Sequence, residues 1–75
     1  PEEIETVSLG VDEIGIIDLL VASKLAPSRG EAKRLIVQGA VTIDEEVIKD
    51  IATRVELDKK QLMKIGKRRF VYIQK

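Results

Sequence analysis

The 75-residue sequence contains no cysteine and no histidine. Without cysteine there can be no disulfide and no thiolate chemistry. Without histidine the chain lacks the commonest metal ligand and the usual general base near neutral pH. No apolar run approaches the ~20 residues that a membrane-spanning helix needs, and the start does not read as a signal peptide. We therefore expect no cofactor, no metal, no membrane partner and a cytoplasmic location.

The small size of the chain and its missing catalytic motifs narrow the possibilities further. A chain of 75 residues forms one small domain and buries only roughly 60% of its unfolded surface. It begins with Pro1 rather than methionine, so we expect it to be a piece of a longer protein. A glycine-rich phosphate loop is absent, and adjacent acids such as Glu45 and Glu46 are typical of a solvated turn. We expect no catalysis by this chain alone.

Charge is abundant but unevenly distributed along the chain. There are 13 basic and 13 acidic residues, and residues 1–18 contain six acids and no base. Residues 19–75 therefore hold all 13 bases against seven acids. Such a split predicts an acidic lead-in followed by a basic body, and an anionic partner would meet the basic body.

Two helices are predicted in the first half of the basic body. If residues 14–25 form a helix, its apolar surface is wider than a single stripe, which predicts that the helix is well buried. Pro27 is expected to end it. The second helix begins at Ser28, three residues before Glu31, in a capping box. It ends at Gly39, which favours the left-handed helix stop.

The second helix is predicted to have a basic edge. Ala32, Leu35 and Ile36 follow helical spacing toward the core. Arg29 and Lys33, four residues apart, share an exposed edge, and Arg34 lies farther round. Because a ten-residue helix is only ~15 Å long, this edge can touch two or three consecutive phosphates at most.

The last third of the chain predicts strands. Asp44 and Glu45 would join a first hairpin, although tight turns prefer Asn-Gly or Asp-Gly. Gly66 and Lys67 would form the two-residue loop of a second hairpin, because glycine first suits a type II′ turn. The predicted strands are residues 40–43, 46–49, 61–65 and 68–73, with a further short strand near Val55 in the connection 50–60.

The predicted fold class is α+β, with two short helices packed on a small, mainly antiparallel sheet of four to five strands. Residues 1–13 are expected to be a linker or a partly ordered acidic lead-in. Residues 14–75 are expected to form the domain itself.

The second hairpin carries an electrostatic argument. With a two-residue loop, Lys64 would lie directly opposite Arg69, and opposed like charges destabilise a sheet. Lys67 and Arg68 bring the number of cations at the hairpin tip to four. A bound polyanion would relieve this repulsion, and the basic helix independently favours that interpretation. The alternative is that solvent and salt screen the exposed cations.

Residues 26–48, APSRGEAKRLIVQGAVTIDEEVI, resemble the core of the RNA-binding domain named after the fourth protein of the small ribosomal subunit. The family pattern is a helix, then Ser-Arg-x-x-Ala-x-x-Leu-Ile, then glycine, then a hairpin. It stands here as Ser28, Arg29, Ala32, Leu35, Ile36 and Gly39. The ending MKIGKRRFVYIQK resembles the C-terminal appended domain of bacterial-type tyrosyl-tRNA synthetases, as does IDLLVASKLAPS, and the resemblance covers residues 14–75. Asp44-Glu45 departs from the Asn-Gly turn common in that family.

The resemblance implies a module that clasps structured tRNA, including its long variable arm and anticodon stem, while a separate catalytic domain of the parent chain performs the chemistry. Recognition of A-form RNA relies on shape, phosphates and 2′-hydroxyls, which suits cations at a helix edge and a hairpin tip. The predicted RNA-binding residues are Arg29, Lys33, Arg34, Lys64, Lys67, Arg68 and Arg69. Phe70 and Tyr72 could stack on bases, although their strand spacing favours core positions.

Three alternatives remain open from the sequence. The same fold occurs on other carriers, such as RNA pseudouridine synthases or ribosome-associated stress proteins. The apolar first helix could instead dock on a protein partner. The basic surface could also bind DNA.

Overall fold

The structure, a computed structural model, describes residues 4–75. Pro1, Glu2 and Glu3 of the predicted lead-in lie outside the described residues. The two helices are α1 (Ile16–Ala22) and α2 (Arg29–Val37). The strands are β1 (Glu5–Ser8), β2 (Glu13–Gly15), β3 (Val41–Ile43), β4 (Glu46–Val47), β5 (Arg54–Glu56), β6 (Gln61–Ile65) and β7 (Arg69–Gln74).

Five strands form the main sheet in the order β1-β7-β6-β3-β4. Only the β1–β7 pair is parallel, and β2 and β5 form a separate antiparallel pair. Alternate side chains of a strand point to opposite faces of the sheet. One face joins the two helices in a single core whose sheet residues are Val41, Ile43, Met63, Ile65, Val71 and Ile73. The architecture confirms the predicted α+β class with a mainly antiparallel sheet.

The acidic lead-in contributes more structure than expected. Residues 5–8 lie in the segment expected to be a linker or a partly ordered acidic lead-in, and they form β1, which pairs with residues 71–74 of β7. Without β1, strand β7 would be the edge of the sheet, so β1 pairs with backbone groups that would otherwise be open. Val7 of β1 also packs against the core. Among the described residues, the lead-in therefore contains an edge strand of the main sheet.

Helix α1 is shorter than predicted at both ends. Ile14 and Gly15 pair with Val55 and Arg54 instead of joining the helix, and the strand near Val55 is confirmed as β5. The helix stops at Ala22, well before Pro27. Ser23 follows as the C-cap, and its hydroxyl donates a hydrogen bond to the Leu19 carbonyl at 2.7 Å.

The apolar residues of α1 are used in the core. Ile16, Leu19 and Leu20 are each 0% exposed and Ile17 is 8% exposed. The first helix therefore presents no apolar face for a protein partner, which removes the surface on which that alternative rested.

Helix α2 has the predicted boundaries. The Ser28 hydroxyl accepts a hydrogen bond from the Glu31 amide at 3.2 Å, which confirms the N-cap. A capping box also predicts that the Ser28 amide donates a hydrogen bond to the Glu31 carboxylate, but this carboxylate instead contacts Arg34. At the other end Gly39 adopts φ +74°. The Gly39 and Ala40 amides donate to the Ile36 and Leu35 carbonyls, which is the Schellman arrangement.

The first hairpin forms as predicted despite its unusual turn. Ile43 pairs with Glu46, so Asp44 and Glu45 make a two-residue loop. Their φ angles are 49° and 72°. Positive φ at both central residues is the signature of a type I′ turn, which matches the twist of the flanking strands.

The predicted register of the second hairpin is wrong by one residue. Ile65, not Lys64, pairs with Arg69, so the loop has three residues, 66–68. Lys64 pairs with Phe70. Because a one-residue shift moves a side chain to the other face, Lys64 and Arg69 lie on opposite faces of the sheet. The like-charge opposition inferred from the sequence therefore does not exist.

Within residues 4–75, neither helix has the length and apolar character needed to cross a membrane.

Candidate nucleic-acid interface

The first part of the candidate interface is the exposed edge of α2. Arg29, Lys33 and Arg34 are all exposed. Arg29 forms an ion pair with Asp18 of α1, and Arg34 lies 3.4 Å from the Glu31 carboxylate. Exposed ion pairs of this kind contribute only ~0–1 kcal/mol. Both arginines can therefore exchange their carboxylates for phosphates at little cost.

Lys33 differs from its two neighbours on the helix. Within residues 4–75 it forms no ion pair. It lies between two arginines that are partly neutralised by acids. The uncompensated charge of the α2 edge is therefore centred on Lys33.

The second part of the interface is the tip of the β6–β7 hairpin. Lys67 and Arg68 are exposed in its loop. The Arg69 guanidinium donates to the backbone carbonyls of Leu25 and Lys24, both at 3.4 Å. Those carbonyls belong to the loop that connects α1 to α2. Arg69 thus joins the basic hairpin to the segment that leads into the basic helix.

The structure adds Lys24, which sequence reasoning missed. It follows the α1 C-cap with φ 64°, and it lines a shallow surface depression together with Arg68, Arg69 and Glu5. Only its position in the sequence could have indicated Lys24, since it is the first base of the chain and immediately precedes the loop before α2. Lys24 therefore adds a base beside Arg68 and Arg69, in the segment between α1 and α2.

Lys64 lies on the sheet face opposite that of Arg69 and the helices. Its ammonium is 5.6 Å from the centre of the Phe70 ring. The two aromatic residues lie on this same outer face, so the prediction that they are core residues is wrong. Phe70 is 38% exposed, and the Lys60 ammonium lies 4.5 Å from the centre of the Tyr72 ring.

The end of the sheet far from the hairpin tip is acidic. A groove there is lined by Glu13, Asp44, Glu46, Glu56 and Asp58, with Arg54 and Lys59 as its bases. Arg54 is held by Glu13 at 2.6 Å. Among residues 4–75 no group of acidic side chains is placed to hold a metal ion. An acidic lining of this kind would repel a polyanion.

The central part of the chain matches a known domain family. Residues 15–59, more than half of the chain, match the S4 domain family. The chain belongs to the S4 domain family. The matched region of this S4 domain contains both helices and strands β3 to β5, whereas the β6–β7 hairpin with its cations lies beyond it.

The S4 domain is also similar along nearly its whole length to parts of larger proteins. It is 45% identical over 73 residues to a tyrosine–tRNA ligase of Thermotoga maritima and 41% identical over 70 residues to that of Moorella thermoacetica. A third relative, the tyrosine–tRNA ligase of Chlorobium luteolum, is 42% identical over 74 residues. The matches cover 93–97% of this chain but only 17–18% of the relatives.

Proposed function

We propose that this S4 domain is the tRNA-binding appendage of a tyrosine–tRNA ligase. It clamps structured tRNA, including the long variable arm and the anticodon stem, through phosphate contacts. The aminoacylation chemistry belongs to a separate catalytic domain of the parent chain, and this role places the protein in the cytoplasm. Similarity to three tyrosine–tRNA ligases along 93–97% of the chain supports this assignment.

The observation that carries the proposal is the pair of hydrogen bonds from Arg69 to the α1–α2 loop. These bonds hold the hairpin tip beside the segment that leads into α2. This contact between the last strand and the segment before α2 supports a single binding side formed by cations from two distant parts of the sequence. Such an arrangement suits A-form RNA, whose deep major groove excludes side chains and whose phosphates remain accessible.

Each residue of the interface has a distinct part in the proposal. Arg29, Lys33 and Arg34 contact one stretch of phosphates along the helix edge, and Lys67 and Arg68 contact another at the hairpin tip. Arg69 is a positioning residue, because its guanidinium is already engaged with two backbone carbonyls. Lys64 is excluded from this surface by its place on the outer sheet face.

The proposal predicts a steep salt dependence. If four or five cations neutralise phosphates, the log of the tRNA association constant falls against log salt with a slope of roughly −3 to −5, at ~0.7–0.9 per contact. Fluorescence anisotropy of a labelled tRNA transcript at several potassium chloride concentrations measures this slope. Binding that is independent of salt would indicate an apolar protein-type interface and reject the phosphate clamp.

A second arm of the same experiment separates RNA from DNA. A hairpin RNA and the DNA hairpin of the same sequence carry the same charge but differ in helical form. We expect the RNA to bind more tightly at every salt concentration, because the clamp is shaped for an A-form backbone. Equal affinities would favour a general polyanion binder.

A further inference from the structure

The sheet face opposite the helices carries a second group of ligand-binding features. Phe70 and Tyr72 lie on this face, two residues apart on β7. Leu62 and Lys64 of β6 pair with Tyr72 and Phe70 respectively. A depression of about 410 Å³ beside Phe70 is lined by Thr42, Glu45, Val47, Leu62, Lys64 and Phe70. No helix of the described chain covers this face.

We propose that this outer face binds unpaired nucleotides of RNA by stacking them on Phe70 and Tyr72. The surface is separate from the phosphate clamp, and the inference goes beyond the proposed function. Aromatic rings on a sheet with cations beside them are the combination that single-stranded nucleic acids require, since every base has a π-face and every linkage a negative charge.

The charges on this face favour a nucleotide over an apolar protein surface. An ammonium group lies beside each ring, Lys60 at Tyr72 and Lys64 at Phe70. Lys67 and Arg68 lie at the hairpin end of the same strands. Glu45 is the single acid in the lining of the depression. Burying these lysines against an apolar partner would leave them unpaired, whereas a sugar–phosphate chain would pair them.

The present positions of the lysines are compatible with base binding. An exposed cation–π contact is a weak interaction, whereas base–aromatic stacking is the stronger contact. A base that enters can therefore displace the ammonium group from the ring. The displaced group remains on a flexible stem within reach of the phosphate of the same nucleotide.

The spacing of the rings selects the conformation of the strand. Residues two apart on a strand are separated by about 6.8 Å, which is twice the ~3.4 Å rise per nucleotide of a duplex strand. Successive bases reach both rings only if the strand is opened out. The face therefore suits a loop or a single-stranded end rather than a helical stem.

Tyrosine fluorescence gives a direct test, because Tyr72 is the only tyrosine and there is no tryptophan. The protein is titrated at low salt with hexauridylate, and with an abasic hexamer of the same charge. We expect hexauridylate to quench the emission and the abasic hexamer to leave it nearly unchanged. Equal responses to both, or no quenching at saturation, would overturn the proposal.

Substitutions separate the two surfaces. The variant Phe70→Leu keeps an apolar side chain and should weaken hexauridylate binding about tenfold, while leaving affinity for a blunt RNA duplex unchanged. The variant Lys33→Gln on α2 should show the reverse pattern. Lys64→Gln, a change at a half-buried position on the outer face, should weaken hexauridylate binding by a smaller factor.

The outcomes distinguish this inference from the phosphate clamp and from protein docking. Unchanged hexauridylate affinity in both Phe70→Leu and Lys64→Gln would overturn stacking without touching the clamp. Sedimentation that shows a dimer, lost in Phe70→Leu, would identify a second copy as the occupant and would also overturn it.

Discussion

At the scale of single residues, three positions within residues 4–75 adopt backbone conformations that L-amino acids disfavour. Lys24, Asp44 and Glu45 all have positive φ although none is glycine. Asp44 is compensated, because its Oδ1 accepts a hydrogen bond from the Leu62 amide at 3.0 Å. Glu45 has no such bond among the described residues, and left-handed backbone costs roughly 1–2 kcal/mol for a side chain of this type.

The strain at Glu45 predicts that Glu45→Gly stabilises the protein. Glycine adopts φ 72° without a Cβ penalty, so the free energy of unfolding should rise by about 0.5–1 kcal/mol. Urea denaturation measures this change. Glu45→Gln is the matched control, since it removes the charge but keeps the Cβ and should leave stability nearly unchanged. If both variants gain equally, charge rather than backbone strain is responsible.

Single residues also show where sequence reasoning succeeds and fails. Ser28 and Gly39 could be predicted because their side chains, or the lack of one, determine local backbone geometry. Lys24 could not, because nothing in its chemistry favours the left-handed conformation. The register of β6 against β7 failed for a related reason. Gly66 permits several loop lengths, and one additional loop residue moves Arg69 to the sheet face opposite Lys64 and brings Phe70 onto the face of Lys64.

At the scale of elements, both helices end in the same way. In α1 the Leu25 amide donates to the Leu20 carbonyl and the Lys24 amide to the Val21 carbonyl. The corresponding bonds after α2 start from Ala40 and Gly39. Lys24 and Gly39 therefore occupy equivalent left-handed positions of two Schellman motifs. The Schellman motif at Lys24 ends α1 before Pro27. It also turns the chain so that the carbonyls of Lys24 and Leu25 face Arg69.

Replacing glycine by alanine should have opposite effects on stability at two positions, one in the first turn of α2 and one just after its C-terminus. Gly30 lies inside the first turn, where an added Cβ would meet only the Ser28 hydroxyl at 3.9 Å. Gly30→Ala should therefore raise the free energy of unfolding by about 0.5 kcal/mol. Gly39→Ala should lower it by about 1 kcal/mol, because its φ of +74° is strained for alanine although space is available.

Thermal unfolding followed by circular dichroism checks this pair. For a domain of 60–100 residues, 1 kcal/mol corresponds to a shift of about 4–8 °C in the melting temperature. The two variants have the same composition, so the comparison isolates backbone position. A shift of the same sign in both would contradict the assigned roles of the two glycines.

At the scale of the whole molecule, the neutral net charge hides two oppositely charged ends. The hairpin tip, Arg69 and Lys24 form the basic end, and the groove around Asp44, Glu46 and Asp58 forms the acidic end. The sequence predicts a basic body and an acidic lead-in, but it does not predict an acidic end within the body. The topology produces that end, because β3 and β6 are antiparallel and the turns that follow them therefore lie at opposite ends of the sheet.

This polarity predicts that position, rather than net charge, controls RNA affinity. Lys67→Glu at the hairpin tip and Lys59→Glu in the acidic groove change the total charge equally. The strand β6 between them has five residues, or about 17 Å at ~3.4 Å per residue. That is roughly two Debye lengths at physiological salt, where the length is ~8 Å. A charge at Lys59 is therefore screened from a ligand bound at the tip.

We expect Lys67→Glu to weaken tRNA binding and to make the salt slope shallower by about one, whereas Lys59→Glu should leave the slope unchanged. Both side chains are exposed, so their melting temperatures should match that of the unmodified protein. Anisotropy titrations at two or more salt concentrations measure the difference. Equal losses from the two substitutions would mean that the RNA responds to the overall charge of the molecule and has no preferred end.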